Sequence, residues 1–271
     1  MANKNIKLMY CLNLFSEMKF FGVIAILYYT EITQSMMLGM SIYSIATIVS
    51  SLAEFPTGII SDRIGRRLTI IAGAISSLIY VLLLSFAVNY IWLIVAAIFN
   101  GIEIAFFSGN NQAYIYENLK NSNMENKYEI YAGKVNSMIY LAGAIAAFIG
   151  TIIVYFTSYK FVIILSIIPK IIEVIIAFNL ENINNFNNNE KVSNQIKEAS
   201  EKVLKNNNLK KQIIADSIND GIGEACYQFR STFYAMVWPE WALGIPGILS
   251  NVGAFVSNWF ARKNYSKNRW K

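Results

Sequence analysis

The sequence contains no histidine, only two cysteines and few charged residues. Without histidine, any proton transfer has to use carboxylates, lysine or water. Cys11 and Cys226 both lie in apolar segments, so neither a disulfide framework nor a metal cluster is indicated. Charged residues make up 15% of the chain, against roughly 25% in an average soluble domain, whereas hydrophobic residues make up 55%. This composition excludes an ordinary water-soluble domain.

Apolar runs of about twenty residues recur along the chain and are separated by short charged blocks. As a helix, such a run crosses about 30 Å of hydrocarbon, so the sequence predicts an all-α transmembrane protein. The first run follows two lysines, as a signal peptide would, but it is longer than a typical signal-peptide core and no small-residue cleavage site follows it. The predicted spans are 11–30, 38–60, 68–88, 91–115, 136–157, 161–180, 212–236 and 243–261.

Lysine and arginine residues are divided very unevenly between the two sides of the predicted bundle. Nineteen of the 23 fall on the side of the N-terminus, and only Lys160 falls in the opposite loops. Because positively charged loops remain in the cytoplasm, the sequence predicts a multi-pass plasma-membrane protein with both termini cytoplasmic. A basic surface facing anionic lipid also accounts for the net charge of +6, and no nucleic-acid partner is expected.

A polar segment at 181–211 interrupts the succession of spans. It is rich in asparagine and charge, and its few apolar residues recur every three to four positions, which predicts a short amphipathic helix on the membrane surface. This linker separates six spans in 1–180 from two spans and a basic tail in 212–271.

A charged loop, GIISDRIGRR at 58–67, lies between the second and third spans. Gly58 allows another helix to approach closely, and Gly65 permits a tight turn. Asp62 at the end of a span is costly unless it faces a cation, and three arginines follow it. Such a cluster can lock one conformation of a moving bundle; the alternative is a positively charged anchor with an incidental aspartate. The candidate gating residues are Gly58, Asp62, Arg63, Gly65, Arg66 and Arg67.

The complete loop pattern resembles the cytoplasmic loop motif of the major facilitator superfamily, in which residues such as Glu54 and Pro56 often precede the loop. Six spans, a long polar linker and further spans are also similar to its arrangement of two six-helix halves. The resemblance implies a major facilitator-type helical bundle with about eight of an expected twelve spans, in which 212–271 is an incomplete C-terminal half. We therefore expect either a fragment or frameshifted remnant, or a functional unit completed by a second chain.

A second stretch, at the end of the fourth span, looks like a segment of one bacterial branch of that superfamily. Here Ser108 and Gly109 are followed by Asn111 and Gln112, where that branch often carries acids. The arginine that many members carry near 97–101 is absent, as is the glycine-proline motif of many drug antiporters. Loose resemblance to efflux branches favours export.

Charged residues inside a span cost about 2.5–3.5 kcal/mol each, so each implies a partner or a water-filled cavity. In the fourth span, polar and aromatic residues recur along one helix face, which we interpret as lining a central cavity. Glu103 on this face is a candidate for binding a proton or a substrate cation; a packing hydrogen bond between helices is the alternative. The face comprises Asn100, Glu103, Phe107, Asn110 and Tyr114.

The seventh span carries three acids at four-residue spacing, Asp216, Asp220 and Glu224, followed by Arg230. Acids on one face repel one another unless they are protonated or paired, so the pattern predicts a proton relay. The alternative is that Asp216 lies near the membrane interface and that Arg230 neutralises a residue on another span.

Two further pairs of charges lie within spans. Lys170 and Glu173 are one turn apart beside Pro169 and are predicted to pair within the sixth span. Glu17 and Lys19 lie on different faces of the first span and must find partners elsewhere.

Together these features predict a secondary active transporter that moves a small solute by alternating access, with proton coupling through buried carboxylates. The alternative is a truncated, non-transporting membrane protein or scaffold derived from such a transporter. Without histidine, a cysteine pair or a nucleophile-base arrangement, an enzyme is not expected, and neither is a cofactor or a metal. The candidate pathway residues are Glu17, Glu54, Asn100, Glu103, Asn111, Tyr114, Asp220, Glu224 and Arg230.

Overall fold

A computed structural model describes residues 2–183, 206–239 and 242–260, and within these ranges the chain forms helices and no strand. The amphipathic helix predicted in the polar linker and the basic tail lie outside the described residues. The helices are α1 (Ala2–Ser16), α2 (Ala25–Thr33), α3 (Met36–Ile64), α4 (Arg66–Ser85), α5 (Tyr90–Phe107), α6 (Asn110–Lys120), α7 (Tyr128–Phe156), α8 (Tyr159–Leu165), α9 (Ile167–Phe178), α10 (Asn207–Val237) and α11 (Gly244–Phe260), with a 3₁₀ turn at Glu125–Lys127.

Five stretches of the described chain are long and apolar enough to cross a membrane, and they correspond to the predicted second to sixth spans. The all-α transmembrane fold is thereby confirmed. The other three predicted spans also coincide with helices, but none of these is both long enough and apolar enough to be counted with the five. The first span is split into α1 and α2, α10 is more polar, and α11 has 17 residues. The five stretches are Met36–Glu54, Arg66–Ser85, Tyr90–Lys120, Glu125–Phe156 and Tyr159–Phe178.

The first, fourth and sixth predicted spans are not continuous α-helices. The first is non-helical at 17–24, between α1 and α2. The fourth is interrupted between α5 and α6, where Gly109 has a φ of 66° that side-chain-bearing residues rarely adopt. The sixth is interrupted at Ser166, shortly before Pro169. Backbone groups released at such points need partners inside the protein, because lipid offers none.

Polar caps start the helices that follow the short connections opposite the arginine-rich loop. Ser35 caps α3, Asn89 caps α5 and Ser158 caps α8; each side-chain oxygen accepts a hydrogen bond from a backbone N–H in the first turn. Such caps satisfy donors that a helix start leaves unpaired. Consecutive spans therefore reverse direction within a few residues and pack side by side.

Two buried apolar clusters fill the bundle at different depths. Along α4, Ile70 and Ala74 belong to the cluster near the arginine-rich loop, whereas Tyr80 and Leu84 belong to the cluster at the opposite end. Ser77, fully buried, lies between them. The level between the two clusters is where the charged side chains of the interior meet.

The start of α1 is tied to the segment that follows the sixth span. Lys4 Nζ lies 2.8 Å from Glu181 Oε1, and this hydrogen bond lowers the pKa of Glu181. Beside it, the Glu181 backbone N–H donates a hydrogen bond to Asn5 Oδ1 over 3.1 Å. These contacts join α1 to the residues that follow α9, at the end of the bundle that carries the arginine-rich loop.

Candidate functional site

The non-helical segment at 17–24, here called the break, is held in place by the sixth span. The Phe20 backbone N–H donates a hydrogen bond to Ser166 Oγ over 3.1 Å. Lys170 Nζ donates one to the backbone carbonyl oxygen of Ser16, the last residue of α1. A cation at a helix C-terminus interacts favourably with the unpaired carbonyl groups there. The break is therefore a packed feature of the fold.

Four charged side chains meet beside the break, and we call them the charge quartet: Lys19 from the break, Glu103 from α5, and Lys170 and Glu173 from α9. Lys19 Nζ lies 3.1 Å from Glu103 Oε1, and Lys170 Nζ lies 3.7 Å from the same oxygen. Lys170 Nζ also lies 2.9 Å from Glu173 Oε2. Ser77 Oγ donates a further hydrogen bond to Glu103 Oε1 over 2.9 Å. The quartet joins the first, fourth and sixth spans, and Ser77 connects it to the third.

The charge quartet is almost completely removed from solvent. The side chains of Lys170 and Glu173 are 0% exposed and that of Glu103 is 3% exposed, whereas Lys19 is 20% exposed. Two ammonium groups balance two carboxylates, as burial of this depth requires. Glu103 Oε2 and Glu173 Oε1 have no hydrogen-bond partner among the described residues. Each carboxylate of the quartet therefore keeps one oxygen free of a hydrogen bond in this part of the structure.

The quartet shows which partners the predicted intramembrane charges Glu103, Lys19, Lys170 and Glu173 have. The predicted pairing of Lys170 with Glu173 is confirmed. Glu103 is paired with lysines from two other spans, and one of them is Lys19. Neither lysine was among the candidate pathway residues. A lysine within an apolar span signals a carboxylate nearby, but only the fold shows which one.

Gly150 of α7 allows the break to pack against the fifth span. A Cβ at this position would collide with the backbone carbonyl oxygen of Phe20. We expect Gly150→Ala to lower the free energy of unfolding by about 1–3 kcal/mol, because the break would have to move. Unfolding of the purified protein in mixed micelles measures this effect.

Gly253→Ala is the matched control, because the Gly253 position in α11 has open space around it in the described part of the chain. It should be neutral or slightly stabilising, since alanine favours helix more than glycine does. Equal stability of the two variants would show that the break tolerates displacement.

An open cavity of about 150 Å³ lies beside the break, between the first, second, fifth, seventh and eighth spans. Lys19 forms part of its wall, so the quartet reaches the cavity through its one partly exposed member. Arg230 Cζ lies 3.6 Å from the centroid of the Tyr227 ring, a cation–π contact within the wall. The polar and aromatic wall residues are Glu17, Lys19, Tyr43, Tyr227, Arg230, Tyr234 and Asn251.

The polar face predicted along the fourth span does not line this cavity. Asn100 is half-buried on α5, and Glu103 faces the quartet. Asn110 and Tyr114, both buried on α6, form hydrogen bonds at the end that carries the arginine-rich loop. The interruption after Phe107 places Asn110 and Tyr114 on a different helix from Asn100 and Glu103.

Arg66 organises the arginine-rich loop. Its Nη2 lies 2.9 Å from Asp62 Oδ1, and its Nε lies 3.3 Å from Glu117 Oε1 of α6. Its Nη1 donates a hydrogen bond to Ser61 Oγ over 2.8 Å, and Ser61 Oγ donates one to Asn110 Oδ1 over 2.6 Å. The cluster connects the ends of the second, third and fourth spans.

The other candidate gating residues occupy different positions around this cluster. Arg67 donates hydrogen bonds of 2.5 and 2.8 Å to backbone carbonyl oxygens at the end of the sixth span. Gly65, with a φ of 95°, forms the turn between α3 and α4. Arg63 is exposed. Among the described residues no atom lies within 4 Å of a Cβ built at Gly58, so the close helix approach expected there is not observed in this part of the chain.

Glu54 and Asn111 lie near the interruption of the fourth span. Glu54 Oε1 accepts a hydrogen bond from Ser108 Oγ. One turn along α3, Thr57 Oγ1 donates a hydrogen bond to the Ala105 carbonyl oxygen over 3.1 Å. Asn111 Oδ1 is buried without a hydrogen-bond partner in the described part of the chain. The second span therefore stabilises the point where α5 gives way to α6.

The three acids predicted to form a relay lie on α10, but the placement of their side chains falls outside the described part of the structure. The relay formed by Asp216, Asp220 and Glu224 therefore stays a prediction. Arg230, on the same helix, is positioned in the cavity wall.

Comparison with known families agrees with the architecture described above. Residues 7–271 match the family described as "Major Facilitator Superfamily". No curated protein matches the chain. Members of the matched family are transporters and not enzymes. The match extends over nearly the whole chain, including the break, the quartet and the arginine-rich loop, and we conclude that this multi-pass membrane protein belongs to the major facilitator superfamily and is a transporter of that kind.

Proposed function

We propose that this protein moves a small solute across the plasma membrane by alternating access, with both termini in the cytoplasm. The observation that carries the proposal is the break in the first span, whose charged side chains Glu17 and Lys19 line a cavity next to α10 and α11. Non-helical backbone at membrane depth is tolerated where it lines a cavity, and transporters place solute sites at such interrupted helices. The cavity is the proposed solute site.

In this proposal the arginine-rich loop gates the conformational change. Arg66 holds Asp62 of α3 and Glu117 of α6 together at one end of the bundle. Ion pairs between elements that move relative to one another favour the state in which they are formed. When the cavity opens toward this end, the pairs break. The pairs therefore favour the conformation in which the cavity is closed at this end.

The charge quartet supplies the proposed coupling to protons. In the quartet two lysines neutralise two carboxylates, and each carboxylate has an oxygen without a hydrogen-bond partner among the described residues. Protonation of Glu103 weakens its attraction for Lys19, the quartet member that reaches the cavity. Proton binding therefore changes the charge offered to a solute. In this proposal Asp220 and Glu224 would extend the proton path along α10.

Alternating access can be tested before the solute is known. We expect a cysteine introduced at Gly247 to react with a membrane-impermeant maleimide from both sides of the membrane, one side at a time. Gly247 lines the cavity, and a Cβ there would lie 3.6 Å from Ala147 Cβ, an ordinary contact. The native Cys11 and Cys226 are first replaced by serine, since both are exposed. Labelling rates are compared in right-side-out and inverted vesicles.

Two cysteines on opposite surfaces control for vesicle orientation. Lys160→Cys and Glu125→Cys, both at exposed positions, should each react from one side only, and from opposite sides. If Gly247→Cys also reacts from one side only, the protein does not cycle, and the alternative of a non-transporting scaffold is favoured.

A further inference from the structure

We infer that the solute carries a carboxylate and that Lys19 binds it by exchanging Glu103 for the solute; this inference rests on the proposed function and names its substrate class. Two cations, Lys19 and Arg230, stand in the described cavity wall against one acid, Glu17. Once Lys19 is released from Glu103, these two cations and one acid favour an anionic group over a cationic one. Tyr43, Tyr227 and Tyr234 in the same wall add aromatic surface for a small organic acid.

The geometry of the quartet allows the exchange. Lys19 and Lys170 share a single carboxylate oxygen, Glu103 Oε1, at 3.1 and 3.7 Å. When Lys19 turns to a solute in the cavity, Lys170 remains beside Glu103, so the carboxylate does not become a buried charge without a partner. Ser77 Oγ continues to donate its hydrogen bond to the same oxygen. Glu103 and Glu173 then share Lys170, and the contact of Lys19 with the solute anion has to offset the attraction that Glu103 loses.

Lys19 is also the quartet member best placed to move. It lies in the break and not within a helix, and it is the partly exposed member of the four. Lys170 in contrast is 0% exposed and is additionally bound to the Ser16 carbonyl oxygen. The quartet thus has one cation fixed in the interior and one facing the cavity.

Arg230 of α10 supplies the second cationic side chain of the cavity wall. Its Cζ lies 3.6 Å from the centroid of the Tyr227 ring, and this cation–π contact holds the guanidinium in the wall. A guanidinium presents paired donors that match a carboxylate. The first and seventh spans would therefore hold one solute from two sides, and this is the contact that couples the solute to movement of α10.

Equilibrium binding of radiolabelled benzoate to the purified protein tests this inference. Benzylamine and benzyl alcohol, which carry the same ring with a positive or no charge, serve as competitors. We expect saturable benzoate binding that excess unlabelled benzoate displaces and that the two other compounds do not. Absence of saturable benzoate binding to folded protein, or displacement by benzylamine, would overturn the inference.

Substitutions in the quartet separate exchange from a merely structural role. We expect Lys19→Gln to weaken benzoate binding at least about tenfold, Lys19→Arg to retain it, and Arg230→Gln to weaken it. Glu103→Gln should strengthen binding severalfold, because the competitor for Lys19 is removed. A structural role for Glu103 predicts the opposite change, so weaker binding by Glu103→Gln would refute the exchange.

Controls keep the result interpretable. Lys160→Gln removes one positive charge from an exposed position outside the cavity and should leave benzoate binding unchanged. Lys19→Gln combined with Glu103→Gln keeps the quartet neutral and should fold while still failing to bind. If Gly247→Cys labels from both sides but benzoate does not bind, the solute class is wrong and alternating access stands. If benzoate binds but labelling is one-sided, the anion site stands and alternating access is wrong.

Discussion

Replacing Lys170 by methionine should lower the free energy of unfolding by about 3–5 kcal/mol, the cost of removing one partner from a buried ion pair. Lys170 is 0% exposed and touches Glu103, Glu173 and the Ser16 carbonyl oxygen. Without it, two buried carboxylates share Lys19 alone, and α1 loses the cation at its C-terminus. Unfolding of the purified protein in mixed micelles, followed by circular dichroism, measures the loss.

The double variant Lys170→Met with Glu173→Met separates charge from packing. It removes one charge of each sign from a region where both side chains are fully buried. We expect its stability to lie closer to that of the original protein than to that of Lys170→Met, because an apolar pair replaces an ion pair. A single variant as stable as the original protein would show that water or lipid headgroups solvate the quartet.

Asp62→Asn should leave membrane insertion intact but abolish solute flux. The Asp62–Arg66 pair is partly solvent-exposed, with side chains 45% and 24% exposed, so its contribution to stability is only about 0–1 kcal/mol. Its effect on the cycle is expected to be large, because Arg66 also holds Glu117 on another span. In the Gly247→Cys background, labelling from one of the two sides should fall to background.

Glu125→Gln is the matched control for this variant. Glu125 is an exposed acid in the 3₁₀ turn between the fourth and fifth spans, outside the Arg66 cluster. It should insert and label as the parent protein does. If Asp62→Asn leaves labelling from both sides unchanged, or leaves the flux of a transported solute unchanged, the proposed gating role of Asp62 is wrong.

The loop cluster itself was partly visible in the sequence. Asp62 and Arg66 are four residues apart on either side of the Gly65 turn, so their pairing is local in sequence. The contact with Glu117 did not follow, because it depends on how α6 packs after the interruption of the fourth span. The same interruption separates Asn100, on α5, from Asn110, on α6.

Helical spans were predictable where a local rule applies. An apolar run of about twenty residues must form a helix to satisfy its backbone in lipid, which placed the second to sixth spans. The break at 17–24 was not predicted, because its stability comes from other spans: Ser166 accepts the Phe20 N–H, Lys170 binds the end of α1, and Gly150 leaves room for the backbone.

What the sequence by itself determined is therefore the membrane fold, the pairing of Lys170 with Glu173, and the charged loop that identifies the family. Each depends on residues that are neighbours along a helix or within a loop. Only the tertiary structure decided that Lys19 pairs with Glu103 and reaches a cavity shared with Arg230. These side chains come from separate spans, and their meeting depends on how the helices pack around a break that no local pattern encodes.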